Sequence, residues 1–374
     1  MKQAAYDLRY LVACAMNRIA PEKERVEAMN LENVRRVSRS LSLSALAATA
    51  VAASGVELSA EWREEKERAV RRSILFDGER AGILAYLEES GIWYLPMKGI
   101  LLKDLYPGLG LRERADNDIL FDSTRQSDVV AFMKQRGYEV GSVGKGAHDT
   151  YYKPPVFNFE LHTQMFSDVT SETFCRYYAN VKDRLLPVEG KKYAYRMTDE
   201  DYYIHMTAHE YKHYIHSGTG LRSLLDRYAY LKSKGGQLDL AYVERECRAL
   251  GIDRFERDSR ALCQRVFSTA ELPPLTDSER EMLEYYMFST TYGTMSQGIR
   301  HQIEQTYGAV GRGSRLRYVL RRAFPKAEFY KTYAPVAYRY RILIPFVCIG
   351  RLFKGMFTGG KRIRRELGAL HHLK

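Results

Sequence analysis

Residues 95–121 read LPMKGILLKDLYPGLGLRERADNDILF, and the order of residue types within them decides the fold. A short apolar strand over 92–97 runs into Lys98-Gly99 and directly into a helix over 99–106. Pro107, Gly108 and Gly110 make a turn. Asp116 then precedes an apolar strand over 118–121. Backbone N–H groups at a helix N-terminus favour an anion, Gly99 permits close approach, and Lys98 adds a positive charge. Asp116 and Asp118, two residues apart on a strand, share one face. Two such carboxylates repel each other unless a cation sits between them. Magnesium suits that position, because it takes carboxylate oxygens together with substrate phosphates.

Working outward, residues 124–136 read as an amphipathic helix, 138–140 as a strand and 141–146 as a loose loop. Over 156–164 the alternation is strong. Val156, Asn158, Glu160 and His162 take one face, and Phe157, Phe159 and Leu161 take the other. Glu160 is thereby placed to supply a third carboxylate. A last short strand fits 193–197.

Upstream, 61–89 has a long helical pattern, and 41–56 is an uncharged Ala- and Ser-rich stretch suited to close helix packing. Downstream, helices fit 198–217, 221–232, 240–250, 254–267 and 276–288. The fold class is α+β, a small mixed β-sheet core with N-terminal helices and a larger C-terminal helical region. The expected divisions are 1–78, 79–197, 198–310 and 311–374.

Lys98-Gly99, Tyr106-Pro107, Gly110, Arg112, Asp116, Asp118, Ile119 and Leu120, then Glu160-Leu161-His162, resemble the bacterial nucleotidyltransferase family proteins of the polymerase-beta-like superfamily. His209, Lys212-His213, Leu221-Arg222 and Leu224-Leu225-Asp226 extend the resemblance, which runs over about 80–355. It implies Mg2+ or Mn2+ held by Asp116, Asp118 and Glu160, which would also be the catalytic residues. It implies transfer of NMP from an NTP, with ATP the expected nucleotide, to a hydroxyl acceptor with release of pyrophosphate. Lys98, Gly99 and Arg112 would bind the nucleotide and hold the leaving pyrophosphate, and His162, His209 and His213 stand as candidates for substrate contact. Two positions depart from the usual superfamily pattern: Lys98-Gly99-Ile100 at the first turn, and Asn117 where an apolar residue is usual. A catalytically silent binding protein with the same fold is the alternative they raise.

A rival motif is His209-Glu210-Tyr211-Lys212-His213, an H-E-x-x-H match on a helix. It would hold zinc through the two imidazoles with Glu210 as base, making a zinc hydrolase the third reading. Lys212, charged where such helices usually pack inward, weighs against it.

Composition limits the remaining choices. Hydrophobic residues make up 45% of the 374 and charged residues 28%, which excludes a wholly disordered chain, collagen and a polytopic membrane protein. Cys14, Cys175, Cys247, Cys263 and Cys348 form no C-x-x-C pair, so neither a cysteine zinc site nor a disulfide scaffold is expected, and a reducing compartment fits. The opening MKQAAYDLRYLVACAMN carries Asp7 and Arg9 ahead of its apolar run, unlike a signal peptide. The net charge is +12, yet residues 312–374 carry sixteen Lys or Arg against two acids, leaving 1–311 near neutral at −2. Basic residues alternating with bulky apolar ones in this tail suit an anionic membrane surface, nucleic acid, or docking on the body. A cytoplasmic protein is expected, with peripheral attachment at the inner membrane surface as the tail's further implication. Residues 334–361 should form helical turns with one apolar side, broken at Pro345.

Overall fold

The computed structural model describes residues 1–113, 117–167, 171–216, 218–289, 299, 303, 311–325, 330, 334–350, 368 and 370. The chain divides into two compact units, Met1–Tyr211 with Gly220–Thr291, and Lys212–Thr219 with Tyr292–Lys374.

The first unit opens with helices α1 (Lys2–Asn17), α2 (Lys23–Glu27), α3 (Leu31–Leu41), α4 (Ser44–Ala53) and α5 (Ala60–Glu89). The uncharged stretch becomes α4, whose Ala45, Leu46, Ala47, Ala48, Ala50 and Val51 are all buried. Small side chains let neighbouring helices come close. Ser59 caps α5 by accepting from the Trp62 N–H, and the buried Trp62 indole donates to the Ser44 carbonyl at 3.0 Å.

The sheet follows. Strand β1 (Tyr94–Pro96) leads to the short helix α6 (Gly99–Leu102). Strand β2 (Asp118–Phe121), helix α7 (Gln126–Gln135), and strands β3 (Glu139–Ser142), β4 (His148–Lys153) and β5 (Phe157–His162) complete the core. Their order is β1-β2-β5-β4-β3. Only β2 and β5 run parallel, with Asp118 opposite Glu160 and Leu120 opposite His162. One face of the sheet buries Ile119, Phe121, Phe159 and Leu161 against Phe76, Ile83 and Leu87 of α5 and Val129 and Met133 of α7. Each such side chain contributes about 1.5–3 kcal/mol relative to exposure. By alternation the other face carries Asp118, Leu120, Glu160 and His162.

Two elements differ from the sequence reading. The helix expected over 99–106 is one turn, continued as a 3-10 turn over Lys103–Leu105. Strand β4 has no counterpart in that reading, because HDTYYK offers only Tyr151 to the core and so lacks an apolar alternation. It forms because β5 pairs with it along its whole length, from His148 opposite His162 to Lys153 opposite Phe157.

After α8 (Glu172–Tyr178) and a two-residue ladder of Leu186–Pro187 with Tyr195–Arg196, the chain is helical. These helices are α9 (Asp199–His216), α10 (Leu221–Lys234), α11 (Leu240–Ala249), α12 (Asp253–Phe267) and α13 (Asp277–Phe288). Thr198 accepts from the Asp201 N–H to start α9, and Thr276 with Glu279 forms a capping box at α13.

In the second unit the described residues include the helix Arg312–Ala323, a turn of helix Pro335–Arg339, a 3-10 turn Arg341–Leu343 and a helical run over 344–350. Pro345 stands in the first turn of that run, where its missing N–H has no helical partner to lose, so it starts a helix instead of breaking one. Ile342 and Phe346 are exposed, while Tyr330 and Cys348 are buried together. The rest of the expected helical tail, 351–361, lies outside the described residues. Among the described residues no helix is long and apolar enough to cross a membrane.

Gly110 tests the packing of the segment between α6 and β2. Its φ is +77°, and a Cβ there would lie 2.7 Å from the Val70 Cα and 2.8 Å from the Val70 nitrogen on α5. A compatible Gly→Ala exchange stabilises by about 0.4–1 kcal/mol, whereas Gly110→Ala should destabilise the protein by more than that. Thermal melting checks this; an unchanged midpoint would mean that the segment does not press on α5.

Candidate active site

The site is assembled on the sheet face opposite α5 and α7. Asp118 opens β2 and is 1% exposed. Its Oδ1 accepts from Lys98 Nζ at 2.7 Å and faces His162 Nε2 at 2.8 Å. A carboxylate can only accept, so this contact assigns the proton to Nε2. Burial alone would raise the pKa of Asp118; the Lys98 ammonium and the His162 hydrogen bond outweigh it and hold the carboxyl well below the usual range. Burial pushes the His162 pKa below its ordinary value and the Lys98 charge adds to this, against the pull of Asp118. His162 is thus neutral near pH 7.

Lys98 is held in an uncommon conformation, with φ +49° and ψ −123°. Such backbone costs on the order of 1–3 kcal/mol and persists only when its surroundings fix it. The Lys98 carbonyl accepts from Leu101 N–H at 3.1 Å and from the Tyr202 hydroxyl of α9 at 2.6 Å, while its ammonium is fixed on Asp118. Gly99 begins α6 and is buried, and Lys98 sits at the helix N-cap on the side of Asp118.

Glu160 lies beside Asp118 in the parallel register, with Oε2 3.8 Å from His162 Nε2 and 3.6 Å from His148 Nε2. Asp116 lies outside the described residues. Asn117, the departure in the D-x-D segment, is buried and accepts from Arg80 Nη1 of α5 at 2.8 Å. A polar side chain fits there because a buried guanidinium from α5 meets it.

Arg112, expected at the pyrophosphate, is engaged elsewhere. Its Nε and Nη2 donate to the two oxygens of Asp226 on α10 at 2.8 and 2.9 Å. The Tyr106 hydroxyl adds 2.7 Å to the same carboxylate, and Arg222 donates to the Glu113 carbonyl at 2.9 Å. This clamp ties the segment leading to Asp116 onto α10.

The histidines of α9 divide. His209 belongs to the first unit, with its ring 6.3 Å from that of His205, and His213 belongs to the second. Glu210 is buried and bound by Arg227, with the Tyr286 hydroxyl donating at 2.7 Å. The zinc-hydrolase reading therefore loses its base: the carboxylate that had to meet a water is consumed in an internal ion pair. Among the described residues the group of three side chains able to share a metal is His148, Glu160 and His162. His148 was missed in the sequence because β4 was missed. Its signal was the alternation of His148, Thr150 and Tyr152 opposite the face of Tyr151.

Beside this cluster, at the ends of β2 and β5, lies a cavity of about 530 Å³ lined in part by Trp93, Leu120, Gln164, Phe166 and Lys182. Leu120 follows Asp118 by two residues on the same face.

Comparison with known proteins agrees with this arrangement at the level of family. A family model described as uncharacterised nucleotidyltransferase matches residues 27–268, and the chain belongs to that family. No curated protein and no solved structure matches it.

The Arg112–Asp226 clamp makes a direct prediction. Removing one partner of a buried ion pair leaves an uncompensated charge and costs about 3–5 kcal/mol. Asp226→Asn should approach that loss in chemical denaturation, and Arg112→Met with Asp226→Leu should lose less than the sum of the two single changes. Additive losses would show that the pair is not coupled.

Proposed function

We propose that the protein transfers an NMP group from an NTP to a hydroxyl-bearing acceptor and releases pyrophosphate. The observation that carries this reading is the second oxygen of Asp118. Oδ2 is buried, and no donor among the described residues reaches it. An unsatisfied buried acceptor costs about 1–3 kcal/mol. Glu160 stands opposite Asp118 in the register of the strand pair, so a divalent cation drawn between them would satisfy this oxygen.

Asp118 and Glu160, with Asp116 ahead of them, would hold Mg2+ or Mn2+. When bound, the ion supplies neutralisation of phosphate charge and a lowered barrier to hydroxyl attack at the α-phosphorus. The chain's own residues do the rest. The Lys98 ammonium and the His162 hydrogen bond favour the ionised form of Asp118, so it offers its oxygens without first losing a proton. Lys98 brings an ammonium to the same carboxylate and would accompany the leaving pyrophosphate. Arg112, committed to Asp226, acts as a positioning residue for the acidic segment. The cavity beside Leu120 is within the size range of small-molecule sites and would take the nucleoside or the acceptor. His162, neutral and hydrogen-bonded to Asp118, fixes that carboxylate's rotamer. His209 and His213 are left as candidate substrate contacts. In the tail, exposed Ile342 and Phe346 among basic residues suit an anionic membrane surface, with nucleic acid as the other partner class.

One observation favours a second reading. Lys98 already neutralises Asp118 at 2.7 Å, as it would in a catalytically silent member that keeps the fold and binds without turnover.

Incubation with labelled ATP, GTP, CTP and UTP plus Mg2+ or Mn2+ separates the two. Metal-dependent pyrophosphate release should occur and fall on the order of 10²-fold or more in Asp118→Asn. That variant keeps the side chain's shape but leaves the Lys98 ammonium without its carboxylate, so circular dichroism and thermal melting are recorded beside the assay to show that the fold remains. Nucleotide binding with no release from any of the four would establish the silent protein.

A further inference from the structure

We propose that His148, Glu160 and His162 form a divalent metal site with two nitrogen donors, making the ion of this site a first-row transition metal in preference to Mg2+. The inference shares Glu160 with the proposed nucleotidyl site and rests on that reading only for the position of the ion.

β4 and β5 are antiparallel, and His148 stands directly opposite His162. Directly opposed residues project to the same face, and Glu160, two residues before His162, joins them. Their side chains converge accordingly. One ligand atom from each of the three lies within 4.8 Å of the other two. His148 Nε2 is 3.6 Å and His162 Nε2 is 3.8 Å from Glu160 Oε2, and the two rings are 4.9 Å apart.

A cation about 2.0–2.2 Å from each ligand sets neighbouring ligand atoms roughly 3–3.5 Å apart. The two separations from Glu160 need to close by a few tenths of an ångström, and the two imidazole nitrogens, which lie within 4.8 Å of each other, must draw together as well. Asp118 Oδ1 lies 2.8 Å from His162 Nε2 but outside the group of three that converge. His162 would enter as the neutral tautomer with its proton moved from Nε2 to Nδ1, so it releases no proton.

The donor set then decides the metal. Oxygen-only sites with water suit Mg2+, whereas imidazole favours transition metals, and affinities follow the order from Mn2+ up to Cu2+. Two imidazoles and a carboxylate leave positions open for substrate oxygens, as a working site requires. An all-carboxylate site has no use for His148, which is where the two accounts diverge.

Calorimetric titration of the full-length, chelator-stripped protein with CoCl2 and with MgCl2 tests this, alongside the visible absorption of the Co2+ form. The native protein should bind Co2+ at least tenfold more tightly than Mg2+. His148→Ala should lose about tenfold or more in Co2+ affinity, keep its Mg2+ affinity and change the Co2+ band. Circular dichroism should be unchanged, because His148 is partly exposed and stands outside the apolar core of the sheet. His162→Asn provides a second arm and should also weaken Co2+ binding. Equal Co2+ affinity and an unchanged band in His148→Ala would overturn the proposal, as would Mg2+ binding as tightly as Co2+ in the native protein. Co2+ binding through His148 without nucleotidyl transfer would remove the proposed function and leave the metal site standing. Transfer supported equally by either metal in native protein and His148→Ala would do the reverse.

Discussion

A carboxylate buried at the start of a strand needs a counter-charge, and much of the first unit is arranged around meeting that need at Asp118. Burial by itself raises the pKa of this group. Lys98 counters this by placing an ammonium 2.7 Å away, and His162 adds a hydrogen bond from the neighbouring strand. Lys98 does so with φ at +49°, a conformation an L-residue rarely adopts. The strain is held by the turn that follows and by the Tyr202 hydroxyl of α9. The helical region thus bears directly on the sheet's edge, and the ion pair is as much a feature of α9 as of the strands.

The same logic runs through the segment before β2. Tyr106 and Arg112 both end on Asp226, Arg222 reaches the Glu113 carbonyl, and Glu113 accepts from the Ala45 N–H at the start of α4. Gly110 lets this segment lie against the α5 backbone. Charged residues that read as candidate ligand contacts in a sequence are here the fasteners of the segment that leads to Asp116. Fork-to-fork pairing suits that task, because two parallel hydrogen bonds fix orientation as well as distance.

How much of this was legible in the sequence depends on the kind of signal. The strand of Asp118 was readable as a short apolar run opened by an acid, and the strand of Glu160 because an apolar side that packs on α5 alternates with a polar side that does not. The helices from α9 to α13 were readable from their caps and apolar spacing. Strand β4 was not, since its six residues put one aromatic into the core and are otherwise specified by their partner β5. Losing β4 meant losing His148. The destination of Arg112 was equally hidden, for its partner lies 114 residues away and no spacing rule connects them. Glu210 shows the opposite hazard. An H-E-x-x-H pattern arises on a helix whose acid faces inward, and only the buried Arg227 reveals which way it points.

The account's central claim is that Asp118 and Glu160 share a divalent cation. Anomalous diffraction from crystals grown with Mn2+, recorded on both sides of the manganese edge, tests it most directly. The account predicts one anomalous peak within ligand distance of both carboxylates, with Lys98 withdrawn from Asp118. A peak elsewhere on the molecule, or Asp118 still bound only by Lys98 and His162 at saturating Mn2+, would contradict it.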